Sequence, residues 1–156
     1  MSSFSLSLFL SMMTYSGTYV NDVLLLFLFA VLEVGSYMRS EDRGWDECVG
    51  PVLSVVLDLA PYDLLANAQQ FLGGLQQTVQ AWAPMVAKFV NGTEAKKMAV
   101  WMAAIVELER FVLDDREEER AAMIPFFGFA LQFIWEADIV ADEAVEAWAG
   151  QRRAMA

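Results

Sequence analysis

The residues best suited to chemistry lie between Phe133 and Arg152, in the run FIWEADIVADEAVEAWAGQR. There Trp135 and Trp148 are set among five carboxylates, Glu136, Asp138, Asp142, Glu143 and Glu146. The spacing predicts the end of one helix, a tight break at Ala137–Val140, and the start of another. Asp142 and Glu143 fall in the first turn of the second helix, the end where the dipole favours negative charge. Val140, Ala144, Ala147 and Trp148 recur at helical spacing, which turns Trp148 inward and the carboxylates outward. The product is an acidic face beside two large aromatic rings. It is either a docking surface for something basic or a solvated helical corner.

Composition narrows the chemistry further. The 156 residues fit one domain with a sizeable core, and the formal net charge is −11. That charge disfavours nucleic acid and anionic membrane as partners. Twelve of the 21 acids lie between Glu107 and Glu146, a window with only Arg110, Arg116 and Arg120 as cations, so a basic protein segment is the natural complement. There is no histidine, which removes His-based triads and most zinc and iron sites; no metal and no cofactor is expected. The single cysteine, Cys48, sits in an apolar run and reads as a small core residue. With one cysteine no internal disulfide can form, which fits a reducing, cytoplasmic setting.

The elements that must position the acidic stretch are helices. Residues 1–30 form an apolar segment with runs at Phe4–Met13 and Val23–Leu32. It lacks the basic start and cleavage site of a secretory signal, and its second run is too short to span a bilayer. A buried helix or a misplaced gene start accounts for it. Ser40–Gly44 is a polar break; Trp45–Leu59 is a helix with Cys48, Val49, Val52, Leu53, Val56 and Leu57 on its inner face, stopped by Pro61. A long helix over Leu64–Val90 is expected to kink or divide at Pro84. Asn91-Gly92-Thr93 reads as a turn and cap for a helix to Leu113, with Ala99, Met102, Ala103, Val106, Arg110 and Leu113 at helical spacing. Asp114–Glu119 is an acidic corner before a helix over Arg120–Glu136, where Phe126, Phe127, Phe129, Phe133 and Ile134 fill the buried side. Trp45, Trp82 and Trp101, with Met98, Met102 and Met123, read as packing residues. No hairpin signal divides alternating runs, so the fold class is all-α: antiparallel helix pairs stacked as a short HEAT-like solenoid over residues 31–156.

Three segments in order resemble one family. IWEADIVADEAVEAWAGQR looks like the first of two acidic-aromatic boxes that close a HEAT-like domain, the C-terminal domain of the epsilon, catalytic, subunit of eukaryotic translation initiation factor 2B. VQAWAPMVAKFV, at Val79–Val90, resembles that subunit's Ala-Trp-Ser-Pro helix. VLEVGSYMRSEDRGWDECVGPVL, at Val31–Leu53, resembles its segment built on Leu-Glu-Ile/Val-Asn-Ser.

The resemblance implies a guanine-nucleotide exchange domain that promotes GDP release from initiation factor 2, with no covalent chemistry of its own. Its partners would be the GTPase gamma subunit, a lysine-rich segment of the beta subunit, and the other subunits of the exchange factor. The family's essential glutamate corresponds to Glu33, in Val31-Leu32-Glu33-Val34. The acidic-aromatic residues carried over are Trp135, Glu136, Asp138, Asp142, Glu143, Glu146 and Trp148. The family domain continues into a second box, whereas this chain stops at Ala156; on that ground Trp148 and Val145 are expected to be partly exposed and exchange to be impaired. Two alternatives stay open: an adaptor that docks lysine-rich segments of a translation factor without exchange activity, and a secreted or membrane-tethered helical protein.

Overall fold

The computed structural model describes residues 20–60, 66–90, 94–113 and 120–156. Every regular element among them is helical: α1 (Val20–Ser40), α2 (Trp45–Asp58), α3 (Ala68–Val90), a 3-10 turn (Glu94–Lys96) leading into α4 (Lys97–Leu113), a short α5 (Arg120–Met123), a second 3-10 turn (Ile124–Phe126), α6 (Phe127–Glu136) and α7 (Asp142–Met155). The apolar run Phe4–Met13, the stop at Pro61, the Asn91–Thr93 turn and the acidic corner at Asp114–Glu119 lie outside the described residues. No helix among the described residues is long and apolar enough to cross a membrane.

The helices stack in two layers. In one, α3 packs against α1 and α6; in the other, α4 packs against α2, by far the most extensive contact, and against α7. With the short α5 counted as the lead-in to α6, helices two apart in the chain are therefore neighbours within a layer, the pattern of stacked helix pairs. Contacts of α2 with α3 and of α4 with α6 join the layers.

The turns after α1 and after α6 share a left-handed aspartate and a hydrogen bond from the residue that follows it back into the helix. After α6, Asp138 donates its amide to Trp135 O at 3.0 Å and Ile139 donates to Ile134 O at 3.0 Å. Asp138 itself adopts φ 58°. These are the two hydrogen bonds of a Schellman ending, and its customary apolar contact is supplied by Ile134 and Ile139, both fully buried. After α1, Arg43 donates to Met38 O at 2.9 Å and Asp42 adopts φ 50°. In both turns aspartate takes the left-handed position that glycine usually occupies.

The inner face of α2 packs as its periodicity requires: Cys48, Val49, Val52, Leu53, Val56 and Leu57 are all buried, and so is Trp45. Burial pushes the Cys48 thiol pKa up, as for a small core residue. The stripe expected for α4 needs correction. Val106 and Arg110 face solvent, and the buried residues are Val100, Ala104, Ile105, Glu107, Leu108, Phe111 and Val112. Helix α4 is apolar over most of its circumference because it is covered by α2, α6 and α7, so periodicity alone does not choose its face. Glu107 is buried within that face and accepts from Arg110 Nε at 3.3 Å. Gly50 of α2 makes room for it: a Cβ there would stand 3.2 Å from Glu107 Oε2.

Three further expectations change. Phe129 and Met98, expected to pack inside, are exposed. Pro84 does not divide α3, which runs unbroken through it. Gln80 and Pro84 are both exposed, so the carbonyl released by the proline ring can be hydrated. The single helix expected over Arg120–Glu136 is broken at Pro125, which lies in the 3-10 turn that separates α5 from α6.

Candidate functional site

The turn between α6 and α7 places four of the carboxylates around one open cavity. About 580 Å³ in volume, it is lined by Glu136 at the end of α6, Asp138 in the turn, Asp142 and Glu143 in the first turn of α7, and Trp135. The α4 start contributes Lys97 and Trp101 from across the layer boundary. The left-handed backbone at Asp138 turns the chain sharply enough for carboxylates on two successive helices to face the same space.

Trp135 is 44% exposed, and its indole Nε1 donates to Asp142 Oδ1 at 2.5 Å. Trp135 and Asp142 also line a second groove of about 340 Å³, together with Leu131, Val145 and Glu146. The hydrogen-bonded pair is thus a ridge with an acidic cavity on one side and a more apolar groove on the other. Gln132 donates to Glu136 at 2.7 Å and holds one rim of the cavity.

The other sequence-predicted residues lie elsewhere. Trp148 is half-buried on the opposite side of α7, where it stacks at a tilt on Phe127 with ring centroids 5.5 Å apart. Its Nε1 donates to Glu109 of α4, which also accepts from Arg152 in a salt bridge. Val145, like Trp148, is half-buried. Glu33 is half-buried on α1, whose main packing partner is α3, and it does not line either cavity at Trp135.

Sequence reading missed Lys97 and Glu109 and assigned Trp101 to the core. Glu109 carried a signal, since it interrupts the apolar run AAIVELERFVL, but only the fold shows that it reaches α7. Glu109 anchors the helix that carries Asp142 and Glu143, by three hydrogen bonds counting both from Arg152. Glu109→Ala is expected to lower stability by about 1 kcal/mol, roughly 3 °C in Tm, because it takes the acceptor from the half-buried Trp148 N–H and releases the exposed Arg152 from α4. Thermal melting of the two proteins checks this.

Chemically, the cavity presents four carboxylates against one ammonium, with indole faces alongside. Such a surface attracts a cation and gives its aliphatic stem an apolar wall. The acids are spread around the opening: among the described residues, no three of histidine, cysteine, aspartate or glutamate converge closely enough to hold a metal ion. Compared with protein-family models, with curated proteins and with solved structures, the chain matches none.

Proposed function

We propose that this chain is a guanine-nucleotide exchange domain of translation initiation, docking a lysine-rich segment of initiation factor 2 on the α6–α7 corner while promoting GDP release. The observation that carries the docking part is the open cavity shared by Glu136, Asp138, Asp142, Glu143, Trp101 and Trp135. A flexible chain with several lysines can satisfy several carboxylates at once. Each exposed pair is worth only ~0–1 kcal/mol, so affinity comes from their sum and falls with salt.

The exchange part is assigned to Glu33. An exchange factor makes no bonds; it binds the nucleotide-free GTPase more tightly than the loaded one. A carboxylate serves that end by competing with phosphate for a lysine or for magnesium. Release of labelled GDP from purified initiation factor 2 across a salt series tests the whole assignment. Glu33→Gln is expected to slow release on the order of tenfold, about 1.4 kcal/mol of differential binding, while leaving lysine-peptide affinity unchanged. An unchanged release rate in that variant would rule Glu33 out.

One observation favours a second reading, an adaptor without exchange activity. α1 and α6 pack on α3 as separate neighbours, so Glu33 sits on neither helix of the corner. Docking through the corner therefore needs nothing from Glu33. Salt-sensitive binding with no acceleration of GDP release is the result that selects the adaptor.

A further inference from the structure

Helix α1 turns Ala30 and Val34 to the core, whereas Phe29, Leu32, Ser36 and Arg39 face solvent on its other side. Phe29 is 48% and Leu32 63% exposed, so two large apolar side chains one turn apart meet water. The four residues follow one another at intervals of three, four and three, the spacing of a coiled-coil seam. Continued backwards within α1, the same spacing falls on Leu25 and Asp22. The stripe therefore reads Asp22, Leu25, Phe29, Leu32, Ser36, Arg39, with an acid at one end, a base at the other and a run of apolar residues between. We infer that this stripe is a self-association surface, on which a second copy of the chain lays its own α1 antiparallel to the first.

The order of the residues selects both the partner and the direction. Turned end for end about a two-fold axis, the stripe sets Asp22 against the partner's Arg39, Leu25 against the partner's Ser36 and Phe29 against the partner's Leu32. Each of these contacts occurs twice, as an isologous pair requires. A parallel pair would instead stack arginine on arginine and aspartate on aspartate, like charge on like. Length limits the strength. The 21 residues of α1 give roughly 31 Å of helix, and a two-helix contact of that length buries less than the ~800 Å² per partner of a standard interface. Each copy also carries a net charge of −11. The pair is therefore reversible, forming in the micromolar range. The inference is independent of the docking and exchange readings, since it uses neither the α6–α7 corner nor Glu33.

Sedimentation velocity of the whole chain, over a concentration series at physiological salt, tests this. The wild type is expected to pass from monomer to dimer as concentration rises. Leu32→Glu is expected to raise the dimer dissociation constant at least about 30-fold, because the central apolar contact is lost twice. Arg39→Asp is expected to weaken association about three- to tenfold. Adding Asp22→Arg to it is expected to restore association to within about twofold of the wild type, since the end pairs are rebuilt with their charges exchanged. Melting curves at concentrations where all the proteins are monomers confirm that each variant is folded. A chain that stays monomeric at every concentration overturns the inference, and so does a dimer indifferent to Leu32→Glu, which would use another face. Failure of the charge exchange to rescue Arg39→Asp overturns the antiparallel pairing. Recovery of the wild type but not of Leu32→Glu with phosphatidylcholine vesicles, without any dimer, would overturn it too and give the stripe to a lipid surface.

Discussion

Trp45→Ala is expected to destabilise the protein by about 3–5 kcal/mol, lowering Tm by roughly 10 °C, an effect read directly from thermal or denaturant unfolding. Trp45 is 0% exposed and opens α2, the helix in most extensive contact with α4. Truncation removes the largest fully buried side chain among the described residues, and α4 is also held in place by α6 and α7, so the space cannot close fully. The loss is a large part of the ~5–15 kcal/mol that typically separates a folded domain from its unfolded chain. Phe129→Ala is the matched control. Phe129 is 52% exposed, so its removal is expected to cost under about 1 kcal/mol.

The second large effect is on binding. Asp142→Lys combined with Glu143→Lys is expected to weaken oligolysine binding by more than about 100-fold, because two attractive partners become two repulsive ones within one cavity. The same change places cations at the start of α7, where each loses ~0.3–1 kcal/mol of dipole interaction, so folding must be followed alongside affinity. The neutral pair Asp142→Asn and Glu143→Gln is expected to fall between wild type and reversal, and its loss of affinity should converge on that of the wild type at high salt. Isothermal titration at two ionic strengths separates these outcomes. Equal affinity in all three proteins would return the corner to a solvated surface.

Where a helix buries one face, its sequence told which. Helix α2 shows this from Cys48 to Leu57, with every residue expected inside found inside. Where a helix is covered on several sides, the code is degenerate. In α4 the chain offers Ala99, Met102, Ala103 and Val106 as readily as Val100, Ala104, Ile105 and Leu108, and only the positions of α2, α6 and α7 decide between them. The α6–α7 corner was legible because its carboxylates and Trp135 are close in sequence and the break between helices is local. Lys97 and Trp101 were not, because they reach the cavity from α4, with the acidic corner and two further elements intervening in the chain. Trp148 turns away from the acids, as its helical spacing predicted, but its partners Glu109 and Phe127 lie on other helices and only the fold reveals them.

The left-handed aspartates at Asp42 and Asp138 have an evolutionary consequence. Only glycine, asparagine and aspartate enter that region readily, and an aspartate codon reaches either of the other two by one nucleotide change. Drift at Asp138 is thereby channelled toward residues that keep the bend and alter only its charge. A lineage can lower the corner's attraction for cations by one unit, through asparagine or glycine, without disturbing how the last pair of helices is joined. Form and affinity are heritable separately at that codon.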